Sequence, residues 1–191
     1  MTLYMTEMVI FTPKGETRKF PVGATALDFA YDVHTKIGNS AIGAKINHKI
    51  MPITTPLNSG DQVEIITAES ARPKAEWLEH AFTTKAKQAI KNFLKREQEH
   101  NLQRGMQMLD ERLSALGITP NNRVIRKLIE AYDSSNKDEL YTKIGAGIVS
   151  LDNLEKVIRT NSNFKILKFW TLFIKNQDED IDDDITNDKR H

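Results

Sequence analysis

The hydrophobic period of this chain changes once, near Ala75, from two residues to between three and four. Alternation sets one face of a strand against a core, whereas a spacing of three and four sets one stripe of a helix. The chain is therefore expected to hold a small α+β unit over residues 7–68 and an all-α unit over 75–175. Its 191 residues suffice for one large domain or two small ones, and 39% apolar content supplies a core.

In the first unit "EMVIFTP" reads as a strand and "TRKFPV" as a second. Between them, Pro13 and Gly15 suit the second and fourth positions of a tight turn. Thr25 with Asp28 three residues on forms a capping box for a helix from Ala26, and Gly38 is expected to end it in a left-handed C′ position. "AIGAKINHKIMPI" reads as a hairpin turning at Asn47-His48, side chains that tolerate positive φ better than most. "SGD" turns into a last strand, "QVEIITA". One helix across a mixed sheet of this order is a ubiquitin-like β-grasp.

In the second unit, Ala86, Ile90, Phe93 and Leu94 form one stripe and Leu102, Met106, Leu109, Leu113 and Leu116 the next, which Gly117 ends. Thr119-Pro120 restarts the chain as N-cap and N1 ahead of Val124, Ile125, Leu128 and Ile129. Ser135 with Asp138 caps a short helix around Leu140 and Ile144, and "GAG" breaks the chain before Leu151, Leu154, Val157 and Ile158. "NFKILKFWTLFIK" is apolar nearly all round, as a central helix or a surface meant for a neighbour would be. Residues 176–191 carry seven acidic and two basic side chains and read as a disordered acidic tail or linker.

Several classes of chemistry lack their residues. There is no cysteine, which removes thiol catalysis and disulfides and sits with a reducing cytoplasm. No apolar run approaches the ~20 residues of a membrane span, so no membrane association is expected. The five histidines at 34, 48, 80, 100 and 191 show no metal-ligand spacing, and the acidic cluster near Asp182 reads as solvated. Neither a phosphate loop nor a Gly-x-Ser-x-Gly elbow occurs. No catalytic residue, metal or cofactor is expected in this chain.

Two features stay open. On a helical wheel Leu27, Ala30, Val33 and Ile37 share an arc that also takes in His34, with Thr35, Asn39 and Lys45 gathered where helix gives way to strand. A core histidine satisfied by backbone and a contact group at a helix end both fit that placement. The second is Lys87, Lys91 and Lys95, four apart on one ridge, in a segment (71–127) with twelve basic and six acidic side chains. A solvated face explains them, and so does a phosphate backbone.

The phrases "VIFTPKGETRKFPVGATALDFAYDVHTKIGNSAIGAKINHKI" and "LNSGDQVEIITA" resemble the TGS domain of the RelA/SpoT family, the stringent-response (p)ppGpp synthetase/hydrolases. "WLEHAFTTKAKQAIKNFLKRE" resembles the start of the helical regulatory domain that follows it there. The resemblance runs over roughly residues 7–175 and speaks against a TGS-bearing synthetase or GTPase. It implies a non-catalytic regulatory piece of a longer GTP pyrophosphokinase or (p)ppGpp hydrolase, with catalytic domains before it and zinc-finger-like and ACT domains after it.

The implied partners are the 3′ CCA end of uncharged tRNA, the ribosome and the catalytic domains of the same protein, with acyl carrier protein as an alternative. The histidine of the family's "DFAY-x-x-H" phrase is here His34, which the resemblance makes a CCA contact, with Thr35, Asn39 and Lys45 around it. Lys85, Lys87, Lys91 and Lys95 are the corresponding RNA-backbone candidates. Ser40 and Ala41 stand where the family often has a basic residue and a cysteine, so no phosphate contact is expected from position 40. Lys87 stands where arginine is common, which forfeits bidentate geometry.

Overall fold

The structure, a computed structural model, describes residues 6–160. The apolar segment after Asn163 and the acidic tail lie outside the described residues. Two compact units divide between Glu97 and Gln98, some twenty residues beyond the change of period.

In the first unit β1 (Glu7–Phe11) pairs antiparallel with β2 (Thr17–Pro21) around the expected tight turn, in which Gly15 donates to the carbonyl of Thr12 at 2.9 Å. β3 (Ala41–Ile46) lies between β4 (Lys49–Met51) and β5 (Val63–Thr67), antiparallel to both. The β3–β4 turn has φ of 51° at Asn47 and 69° at His48, the positive values that a two-residue hairpin demands. Asn47 anchors it, donating to Asp61 at 2.8 Å and accepting from the Gln62 backbone at 3.0 Å.

The arrangement is β-grasp-like, but the sheet is not one continuous mixed sheet. The β1–β2 and β4–β3–β5 ladders meet through one parallel bridge, Phe11 to Gln62. The segment beside β1 is a turn, from which Gly60 donates to Val9, so it cannot extend the ladder. Apolar side chains of β1, β2, β3 and β5 pack against α1 (Ala26–Val33), where Leu27, Ala30 and Tyr31 are fully buried, with Phe20 and Phe29 rings 5.7 Å apart. Trp77 of α3 (Trp77–His80) and Ala86 and Ile90 of α4 (Thr84–Ala115) join this core.

The expected helix from Ala26 to Gly38 is in fact two. α1 stops at Val33, His34 is extended (φ −169°, ψ 143°), and α2 (Thr35–Asn39) starts afresh. Gly38 does not end a helix in a left-handed conformation. It lies buried within α2 against the ring of Tyr31, where any Cβ would overlap the aromatic carbons. The glycine is needed for close approach. Val33, the last residue of α1, is 39% exposed rather than buried with the core arc.

The second unit packs Leu109 and Leu113 of α4 against α5 (Asn122–Ala131), α6 (Lys137–Gly145) and α7 (Leu154–Arg159). The expected stripes hold: Leu128, Leu140, Ile144 and Leu154 are buried. Two caps lie one or two residues later than expected. Asn121, not Thr119, caps α5 by accepting from Val124 at 2.9 Å, and Asn136, not Ser135, caps α6 by accepting from Glu139 at 2.9 Å. Asparagine is at least as good an N-cap as serine or threonine, so the later residue in each case wins. Gly105 and Gly145 meet where α4 and α6 pack; a methyl group on Gly105 would overlap the Tyr141 carbonyl, and one on Gly145 that of Asn101. No described helix is long and apolar enough to cross a membrane.

Candidate nucleic-acid interface

His34 closes one helix and opens the next. Its backbone N–H still donates to Ala30, while its side-chain Nδ1 accepts from the Lys36 backbone at 3.0 Å as the N-cap of α2. The ring is exposed, so the core-histidine alternative falls. A ring that accepts at Nδ1 carries its proton, when neutral, on Nε2. His34 therefore offers solvent a donor in a fixed orientation.

The packing of Gly38 on Tyr31 sets the next residue. The Tyr31 hydroxyl donates to Oδ1 of Asn39 at 2.9 Å, and burial pushes that hydroxyl's pKa well up, keeping it protonated and a donor. The Asn39 carbonyl is thereby engaged, and its NH₂ is the group left to donate.

α2 faces the first turns of α4 across an open cleft of about 410 Å³. Thr35 and Asn39 line it on one side. Lys85, Gln88, Asn92, Phe93 and Arg96 line it on the other. Lys85 approaches Oδ1 of Asp32 at 3.8 Å, while Arg18 holds Oδ2 of the same carboxylate at 2.8 Å. Gln88 donates to Oδ1 of Asn92 at 2.9 Å.

Three of the residues singled out in the sequence, Thr35, Asn39 and Lys85, thus share one cleft. The others do not line it. Lys45 is exposed on β3, paired across the ladders with Ile50 and Glu64. Lys87, Lys91 and Lys95 are exposed on α4, on a ridge rotated about 100° from the Gln88–Asn92–Arg96 row that lines the cleft. Sequence reasoning passed over Gln88, Asn92 and Arg96, although their spacing of four matches that of the lysines. The signal was present, but nothing local said which row faces α2.

Elsewhere on this unit Ile42 and Ile50 are 56% and 74% exposed on β3 and β4, with Lys45 and Lys49 beside them. Among the described residues no group of His, Asp and Glu side chains could hold a metal ion.

A family model for the TGS domain matches residues 8–67. The chain is 39% identical over 157 residues to the guanosine-3′,5′-bis(diphosphate) 3′-pyrophosphohydrolase of Aquifex aeolicus, across 82% of this chain and 22% of that protein. It is 36% identical over 159 residues to the GTP pyrophosphokinase of Escherichia coli K12, across 81% of this chain and 21% of that one. With the pyrophosphohydrolase of Vibrio cholerae the figures are 40% over 149 residues, 76% and 21%. The chain spans about a fifth of the length of the curated relatives it matches. With a TGS domain at its start and a match that continues into the helices behind it, this chain belongs to the RelA/SpoT family.

Proposed function

We propose that this chain is the non-catalytic regulatory region of a cytoplasmic GTP pyrophosphokinase or (p)ppGpp hydrolase, and that it senses the 3′ CCA end of uncharged tRNA on the ribosome. The observation that carries the reading is His34, an exposed donor fixed at the N-cap of α2 next to the cleft residue Thr35. Single-stranded ends are recognised by donors to exposed base edges and by stacking on rings, and an imidazole does either. A site closed around a free terminal hydroxyl rejects an esterified amino acid by clash, which makes charging the signal.

The test is binding of this chain to deacylated tRNA, the same tRNA aminoacylated, and one trimmed of its CCA, free and in the ribosomal A site. Deacylated tRNA should bind best, and His34→Ala should weaken it about tenfold, the scale of one lost base contact. Indifference to both charging and His34 would overturn the reading.

The exposed Ile42 and Ile50 beside Lys45 and Lys49 favour a second reading, docking of the sheet face on an acidic partner. The candidates are the catalytic domains of the same protein, restrained in cis, or acyl carrier protein. Adding this chain to separately made catalytic domains should then change synthesis or hydrolysis rates, and unchanged rates would remove the brake.

A further inference from the structure

We propose that the cavity between the start of β3 and the 68–76 connector, which joins β5 to α3, binds a small zwitterion with an apolar body. Arg72 and Lys74 hold its carboxylate and Glu97 its ammonium. Such a site needs neither RNA nor a protein partner. At about 560 Å³ the cavity lies within the ~300–1,000 Å³ of small-ligand sites.

Backbone bonds fix its walls. Ala68 donates to the Ser40 carbonyl at 2.9 Å, which ties the connector beside the first residue of β3, and Trp77 donates to the Lys74 carbonyl at 3.0 Å. Trp77 and Ile53 line the cavity as buried side chains and Ile42 as a largely exposed one, so an apolar surface there stays open to an occupant. Arg72, Lys74 and Glu97 complete the lining. Glu97 is half-buried, and among the described residues none of these three forms an ion pair.

The charges select the occupant. A purely anionic ligand would be repelled by Glu97, and a purely cationic one by Arg72 and Lys74. A neutral apolar ligand would strip water from all three groups and pair with none of them. A zwitterion pairs with both signs, its carboxylate on the Arg72 fork and its ammonium on Glu97, while its apolar body covers Ile42.

The experiment follows the indole N–H signal of Trp77 and the methyl signals of Ile42 and Ile53 by NMR as the chain is titrated with leucine, leucinamide, 4-methylpentanoate and glycine. Leucinamide lacks the carboxylate, 4-methylpentanoate the ammonium, and glycine the apolar body. Leucine should bind about tenfold tighter than each, the scale of one hydrogen bond to a charged group or one buried apolar side chain. Glu97→Gln should remove the advantage over 4-methylpentanoate and keep the advantage over leucinamide. Arg72→Gln combined with Lys74→Gln should do the reverse. Signals that stay still with leucine, or that move alike with all four compounds, would overturn the site. So would variants in which both preferences survive or vanish together.

Discussion

The carboxylate of Asp28 accepts the backbone N–H of Thr83 at 2.9 Å and its hydroxyl at 3.0 Å, although 55 positions separate the two residues. The same carboxylate takes the N–H of Thr25 at 2.8 Å and that of Phe82 at 3.0 Å. Thr83 in turn caps α4, accepting from Ala86 at 3.2 Å. One acidic side chain, 1% exposed, thus satisfies donors at the starts of both α1 and α4, where unpaired N–H groups and the helix dipole favour it.

Removing it strands several buried donors at once. Asp28→Ala should cost about 3 kcal/mol. Urea unfolding measures the loss, and amide exchange at Phe82 and Thr83 should accelerate more than exchange in β3.

His48 occupies a left-handed position that glycine adopts freely. His48→Gly should stabilise the first unit by about 0.5–1 kcal/mol, provided that the Asn47 anchor to Asp61 is kept. A rise in thermal midpoint checks it; a fall would mean that the histidine ring contributes a contact of its own.

Gly105 and Gly145 sit backbone to backbone, so there is no flexible side chain to give way. Gly105→Ala should destabilise the second unit by about 3 kcal/mol. Serine at the same position should do no better, and circular dichroism during thermal unfolding reports both.

Hydrogen bonds from Lys143 and from the backbone of Ser135 hold the Glu139 carboxyl down from its ordinary 4.5 to about 2. A pKa lower in the folded chain stabilises above the unfolded value, and that contribution is lost as pH falls through the folded one. Acid unfolding between pH 4.5 and about 2 should therefore be less steep in Glu139→Gln than in wild type. Above pH 5 the variant should be uniformly less stable.

If Lys87, Lys91 and Lys95 meet tRNA phosphates, replacing all three with glutamine should lower the slope of log affinity against log salt by roughly two to three. The preference for deacylated over aminoacylated tRNA should survive, because phosphate contacts position without reading. An unchanged slope would return these lysines to an ordinary solvated face.

Much of the fold was legible because its causes are local. Asn47-His48 and Thr12–Gly15 turn where their own side chains and backbone preferences permit, and the apolar stripes of α4, α5 and α6 pack as spaced. The site was less legible. A wheel drawn through residues 26–38 puts His34 inward, since it assumes unbroken helical phase, whereas His34 is extended and Gly38 lies against the Tyr31 ring. Asp28 was visible as half of a capping box with Thr25, but its bonds to Phe82 and Thr83 belong to a distant segment.

The sequence by itself determined the two classes of unit, the strands and turns of the first and the helical stripes of the second, because period and turn chemistry act over a few neighbouring residues. Only the tertiary structure decided where α1 breaks, that His34 faces solvent as a donor, and which row of α4 shares a cleft with Asn39. The cleft turns on approach between residues far apart in the chain, and the break on a side-chain cap and a glycine contact within seven residues, which a helical wheel with unbroken phase leaves out.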